Sequence, residues 1–364
     1  MRWDKPAHFI ELGTIATYFP AVYLPAAVTV AAARRFRATP AQAFLAGRRA
    51  NVLVFGLLGT AALAVARRGR PLIAAALLLP MSLGLAASLS GDGVLIGIAA
   101  LAAACVTRGG GWGWWGATGC VTLIGMTKLP YASLLLMAAW PVLLLRPPLP
   151  VRLAAVALAA GLMLGWTAYN QAKVMGTVAW PQYETGPLWP GPPRSLTVFD
   201  PAAQLQVLKA DPTRAVTLVT HSLAQNPWFW RQMIGVLGWL TIVLPSWMYS
   251  LWIGVLVLVA LALLFEAGPE PRPKPGLAVA GLLGVGLSAW AIMLAQYLGW
   301  TEVGATLIDG VQGRYFLPLV PFLAVAIPCL RPLRLPCLAA VPLAAGALGA
   351  VTVPVTVALA SYLR

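Results

Sequence analysis

Apolar runs of close to twenty residues alternate with short polar turns along almost the whole chain. Ten of these runs predict membrane-crossing helices, at roughly 50–66, 71–89, 92–107, 112–127, 129–146, 151–170, 233–265, 276–298, 314–331 and 336–361. Between the sixth and seventh lies the one long polar interval, about 171–232. It is rich in Pro, Trp and Gln (Trp180, Trp189, Trp228, Trp230), as a loop folded onto a membrane surface would be. A short interfacial piece is expected before the seventh crossing, whose span proper is predicted from Pro245. The pattern is that of an all-α, polytopic integral membrane protein of about 10 transmembrane helices, with 1–364 as a single membrane domain. Within it, 1–49 forms an outer-face acidic loop and interfacial helix, and 50–170 a six-helix N-terminal module. Residues 171–232 form an extracytoplasmic loop, and 233–364 a C-terminal four-helix module.

One segment resists assignment. Residues 18–33, "YFPAVYLPAAVTVAAA", are apolar enough to cross and are followed by Arg34, Arg35, Arg37, Arg48 and Arg49. Pro20 and Pro25 break its first turns. A helix lying in the outer interface, its arginines reaching headgroups, keeps the later alternation of sides consistent and is the reading preferred.

Composition sharpens the class. The chain of 364 residues is 60% hydrophobic and only 10% charged, with mean hydropathy +0.81, whereas soluble domains carry about a quarter charged residues. The formal net charge of +15 does not point to nucleic acid, because the basic residues lie mostly in short turns between apolar runs. There the positive-inside rule and anionic headgroups account for them. The turns holding Arg67, Arg68 and Arg70; Arg108; Arg146 and Arg152; Arg272 and Lys274; and Arg331 and Arg334 alternate with the spans and become cytoplasmic together. The long loop, Asp92, Lys128 and Arg314 then share the extracytoplasmic face. Cys105, Cys120, Cys329 and Cys337 fall in or beside apolar runs without metal-ligand spacing and read as small core residues.

Few polar residues need explaining. An Arg or Asp at the centre of a spanning helix costs about 2.5–3.5 kcal/mol on insertion scales, so such residues serve function or snorkel from helix ends. Arg314 reads equally as an interfacial anchor, Lys128 as a snorkelling lysine, and Asp92, after "SLSG", as a helix-capping carboxylate. Asp4 and His8, four residues apart in "WDKPAHFIE", share a face if that piece is helical, and otherwise belong to a solvated terminus. His221 has no second ligand at metal spacing and reads as a loop residue. Gly93, Gly97, Gly281, Gly284 and Gly286 suit close helix packing. "GGGWGW" at 109–114 is expected to be a cytoplasmic turn, not a nucleotide loop.

"GVQGRYFLPLVP" at 310–321 resembles the hallmark (GxQGRYFxPxxP) of a bacterial family of multispanning proteins of unknown function grouped with the GT-C glycosyltransferases. Other pieces are similar to that family in the same order: "DKPAH" at 4–8, "YFPAVYLPAA" at 18–27, "RRANVL" at 48–53, "PMSLGLAASLSGDG" at 80–93 and "GVLGWLTIVLPSWMY" at 235–249. The resemblance implies a GT-C-like fold. That fold usually opens with a spanning helix delivering the first acidic loop; here Asp4 comes three residues after Met1, so the usual first helix is expected to be lacking. Lys5 stands where an acidic partner is usual and disfavours a divalent metal; no metal ligand and no certain cofactor is assigned.

What the resemblance implies chemically is transfer of a sugar from a polyprenyl-phosphate donor to a glycan, lipid or protein acceptor of the cell envelope. Asp4 and Asp92 would be catalytic, Asp4 as base. His8, Lys128, Gln312, Arg314 and Tyr315 would bind substrate, with Arg314 on the phosphate. A lipid-linked glycan transporter, flippase or polymerase, and an inactive scaffold subunit of an envelope assembly complex, remain the competing readings. The transporter would want broken helices and buried charges at mid-membrane.

Overall fold

The structure, a computed structural model, describes residues 17–139, 147–173, 182–183, 194–195, 200–226, 228–238, 240–264 and 275–327. The expected tenth span at 336–361, Asp4, His8, Trp180, Trp189, Cys329, Cys337, Arg146, Arg272, Lys274, Arg331 and Arg334 lie outside these residues. The described chain is almost entirely helical. The helices are α1 Leu24–Arg35, α2 Pro40–Val65, α3 Arg70–Leu78, α4 Pro80–Ala86, α5 Gly91–Arg108, α6 Gly110–Thr127 and α7 Leu135–Ala139. They continue with α8 Leu149–Lys173, α9 Pro201–Ala210, α10 Arg214–Gln225, α11 Trp228–Gly235, α12 Ser246–Leu264, α13 Pro275–Trp300 and α14 Val320–Ala326. Two 3₁₀ segments, Leu129–Leu134 and Gly313–Leu319, lead into α7 and α14. The strands are two-residue antiparallel pairs: β1 Gln182–Tyr183 with β2 Arg194–Ser195, and β3 Val236–Leu237 with β4 Ile242–Val243.

Among the described residues four stretches, Pro40–Val65, Gly91–Arg108, Leu149–Lys173 and Gly276–Trp300, are long and apolar enough to cross a membrane. At 1.5 Å per residue, α2 is about 39 Å long, against a hydrocarbon core of about 30 Å. α5 is the central post: it packs against α2, α4, α6 and α14, and most of its side chains are buried. Its small residues permit this, because a Cβ added to Gly93 would lie 2.6 Å from the Ala86 Cα. Gly281 and Gly284 likewise lie against Ala326 and Ser133, whereas Gly286 has nothing within 4 Å of an added Cβ and serves no close contact.

Several boundaries differ from the hydropathy pattern. α2 begins ten residues before the expected 50, because Thr39 and Gln42 form a capping box and Pro40 occupies the first turn. The 12-residue α1 reaches about 18 Å and cannot cross alone. It turns at Arg37 (φ 57°) and packs antiparallel along the first half of α2, where Gly47 faces Val30 and Ala26. The predicted single span 71–89 is broken into α3 and α4: Leu79, preceding Pro80, is extended (φ −53°, ψ 138°), as a pre-proline residue tends to be. Ser82 Oγ donates to the Ala76 carbonyl at 2.7 Å across the break. "GGGWGW" is not a turn. Gly109 alone (φ 65°, ψ −164°) separates α5 from α6, and Trp114 is buried with its Nε1 donating to the Ala138 carbonyl at 2.9 Å.

Within 171–232, α9 and α10 pack on the second half of α13, and α11 packs on the 3₁₀ segment Gly313–Leu319 and on α4. Buried Gln204 donates to the Tyr297 and Glu302 carbonyls, and Trp290 Nε1 donates to the Ala215 carbonyl. The β3–β4 hairpin precedes α12, which begins at Ser246, one residue past the expected Pro245.

Candidate functional site

α5 and α6 are each 18 residues long and run antiparallel from the single-residue break at Gly109. Equal lengths bring the first turn of α5 level with the last turn of α6, so Asp92 and Lys128 meet although they are 36 positions apart. A carboxylate at a helix N-terminus and an ammonium at a C-terminus each also suit the local dipole. Ser90 is the N-cap, its Oγ accepting from the Asp92 amide at 3.1 Å, so the Asp92 carboxylate is not spent on capping as one sequence reading had it. It instead accepts from Lys128 Nζ at 2.7 Å through Oδ1, and its Oδ2 lies 4.0 Å from Arg314 Nε. The second separation is charge attraction without a hydrogen bond.

Arg314 is delivered by the backbone on either side of it. Gly310 adopts φ 74°, and a Cβ there would strike the Trp300 ring at 2.1 Å. Gly313 is pressed on α11: an added Cβ would lie 2.3 Å from the Phe229 carbonyl oxygen and 2.4 Å from Met233 N. Its N–H donates to Gln232 Oε1 at 3.0 Å, and Phe316 packs edge-to-face on Phe229 at 4.7 Å. The glycine and the phenylalanine of "GRYF" thus pack against α11 on either side of Arg314, which they present to Asp92.

Three tyrosines complete the site. Lys128 Nζ lies 4.9 Å from the Tyr18 ring centroid and 5.0 Å from that of Tyr315, within cation–π reach. Tyr131 donates its hydroxyl to the Tyr315 carbonyl at 2.6 Å and its amide to the Lys128 carbonyl at 3.1 Å, coupling the two cation-bearing segments. Tyr18 is held by its neighbours: the Thr17 carbonyl accepts from Trp166 Nε1 and Asn170 Nδ2 on α8, and Phe19 packs edge-to-face on Trp166. Burial pushes the Tyr18 phenol up more than Lys128 pulls it down, so it stays neutral near pH 7.

Of the sequence-predicted residues, the structure brings together Asp92, Lys128, Arg314 and Tyr315, with Gln312 capping the 3₁₀ segment that carries the last two. The side chains of Lys128, Asp92 and Arg314 are only 13%, 16% and 22% exposed. Among the described residues, one carboxylate faces two cations, with one positive charge in excess. Among the described residues, Arg314 Nε and Gln312 Oε1 are buried and make no hydrogen bond. Asp4 and His8 fall outside the described residues, and His221 is exposed on α10 beside Gln225. The described residues hold no grouping of three His, Cys, Asp or Glu. Tyr18, Tyr131, Ser90 and Gln232 are the contributors that sequence reasoning missed. Tyr18 and Ser90 do lie inside quoted motifs, whereas Tyr131, three residues past Lys128 in an apolar run, carries no signal of its own.

No curated protein and no solved structure matches the chain. The match of a family model over residues 2–323 takes in Asp92, Lys128 and Arg314, and it shows that the chain belongs to DUF2142, a family of predicted membrane proteins.

Proposed function

We propose that the chain is a GT-C-type membrane glycosyltransferase that takes a sugar from a polyprenyl-phosphate donor at the extracytoplasmic face of a bacterial plasma membrane. The observation that carries this reading is the excess cation: Arg314 stands beside the Asp92–Lys128 pair with its buried Nε unsatisfied among the described residues. A donor phosphate supplies the acceptor oxygens that a guanidinium fork fits. In the reaction the acceptor hydroxyl attacks the anomeric carbon and the bond from that carbon to the phosphate oxygen breaks. The polyprenyl phosphate leaves with the electron pair, gaining one negative charge, and the hydroxyl proton passes to a carboxylate. Arg314 and Lys128 stabilise the charge that grows on the leaving phosphate. Asp92, bonded to Lys128 at 2.7 Å, positions both cations. Asp4 is the proposed base, and α9–α11 form the acceptor-facing cap.

The transporter reading draws on the α3–α4 break. That break, however, carries Leu79 and Pro80 within the apolar core, and the charged cluster lies at the end of α5 instead.

The test is saturable binding of a polyprenyl monophosphate to purified protein, wild type against Arg314→Ala, with folding followed by thermal melting. Binding lost in a folded variant supports the reading. Equal binding by both leaves Arg314 an interfacial anchor and brings the scaffold reading forward.

A further inference from the structure

Residues Leu45, Arg48, Arg49, Val52, Leu53 and Ala87 line an open groove of about 400 Å³ on the surface of α2. Five of the six recur on α2 at spacings of three and four and so share one helix face. The groove lies near the end of the molecule that carries Asp92. Asn51, two residues past Arg49, donates to the Ser88 carbonyl at 2.8 Å, just before α5 begins.

The face has a polarity. Toward the α2 interior, Val52, Leu53 and Leu57 are 48%, 63% and 62% exposed, an apolar wall on a helix long and apolar enough to cross a bilayer. Above that wall come two adjacent guanidinium groups. Arg48 is held by its Nε, which donates to the Ala87 carbonyl, leaving four of its five N–H donors to other partners. Arg49 is exposed and makes no hydrogen bond or ion pair among the described residues. No Asp or Glu occurs from Leu12 to Gly91, so neither α1 nor α2 carries an acid to neutralise them.

We infer that this groove is a binding site for an anionic phospholipid of the surrounding bilayer. The phosphate sits between Arg48 and Arg49, and an acyl chain lies along Val52, Leu53 and Leu57. Charge complementarity selects an anionic headgroup over a zwitterionic one, since two arginines face the site and neither α1 nor α2 carries an acid. The position selects a bilayer lipid over the donor of the proposed reaction. The groove opens on an exposed face of α2, whereas the Arg314 side chain is enclosed at 22% exposure. A lipid held there braces α2 against Ala87, the residue that leads through Ser88 and Ser90 to Asp92.

The experiment is retention of lipid by the full chain released from nanodiscs, read by native mass spectrometry, with phosphatidylglycerol and phosphatidylcholine supplied in equal amounts. Wild type is expected to retain phosphatidylglycerol preferentially. Arg49→Gln should lower that retention about five-fold, and Arg48→Gln with Arg49→Gln about 25-fold, while Arg49→Lys keeps most of it. Arg49 bonds nothing among the described residues, so Arg49→Gln should leave the lipid-free melting temperature unchanged and exclude misfolding as the cause. Arg314→Ala should retain phosphatidylglycerol as wild type does. Equal retention of the two lipids, or undiminished retention by Arg49→Gln, overturns the site. Displacement by millimolar inorganic phosphate makes it a simple anion site, and loss of the lipid in Arg314→Ala assigns it to the donor pocket; either result also overturns the inference.

Discussion

At the residue scale the Asp92–Lys128 pair is both an electrostatic device and a structural liability. Each charge suits its own helix end, but both side chains are more than four-fifths enclosed, and removal of Asp92 leaves Lys128 without its counter-charge. Asp92→Asn is therefore expected to lower stability by about 2–3 kcal/mol, at or below the low end of the buried-pair range because both groups keep some exposure. Adding Lys128→Met to Asp92→Asn should recover most of that loss. Chemical unfolding of the two single variants and the double variant measures the coupling directly, and strict additivity would show the pair to be energetically idle. Sequence reasoning located Asp92, Lys128 and Arg314 because a charge in an apolar chain stands out. It left Tyr18 and Tyr131 unassigned, because a tyrosine in an apolar run matches the pattern around it; only the packing of distant segments brings the Tyr18 ring to Lys128 and the Tyr131 hydroxyl to the Tyr315 carbonyl.

At the scale of elements, the spacing of the charges depends on glycines whose tolerance to substitution differs for a stated reason. A Cβ at Gly93 would meet backbone atoms of Ala86 and Leu85 at 2.6–2.9 Å, and backbone inside two packed helices does not yield cheaply. At Gly97 the nearest atoms are Leu58 Cδ1 at 3.0 Å, which can rotate aside, and Leu58 Cβ at 3.1 Å, which needs α2 to give by only a few tenths of an ångström. Gly93→Ala is expected to cost about 1–3 kcal/mol, the range for overpacking, and to weaken polyprenyl monophosphate binding, since it moves the residue beside Asp92. Gly97→Ala should cost well under half of that, partly offset by the better helix propensity of alanine. Thermal melts of the two variants decide it; similar losses at both sites would mean that α5 is not tightly seated on α4. The hydropathy pattern made these glycines visible as packing residues, yet it merged α3 and α4 into one span. A window average registers how apolar residues 71–89 are and is blind to the constraint Pro80 places on Leu79. The same blindness placed the start of α2 at residue 50, where the hydrophobic run begins, and not at the Thr39–Gln42 capping box.

The whole molecule has two distinguishable ends, and the proposed chemistry depends on which of them faces outward. One end carries Asp92, Lys128 and Arg314, with the α1–α2 hairpin and its Arg34, Arg35, Arg37, Arg48 and Arg49 nearby. The other carries the turns at Arg67, Arg68, Arg70 and Arg108. Counting arginines alone does not separate the ends, because the hairpin places five on the Asp92 end. The positive-inside rule instead weighs short turns between spans, and on that criterion the proposed orientation puts the Arg67–Arg70 and Arg108 turns in the cytoplasm. Two single cysteines test the assignment. Ala41 is exposed in the first turn of α2, and an added Cβ at Gly111, beside the Gly109 break, meets nothing within 4 Å. In intact cells a membrane-impermeant maleimide should label Ala41→Cys, whereas Gly111→Cys should react only after permeabilisation. Wild type supplies the background, with Cys105 buried and Cys120 half-buried. The reverse pattern would place the cation cluster in the cytoplasm. A sugar donor would then have to be met on the side where nucleotide sugars are at hand, and an extracytoplasmic polyprenyl-phosphate reaction at Arg314 would be ruled out whatever lipid phosphate the site binds.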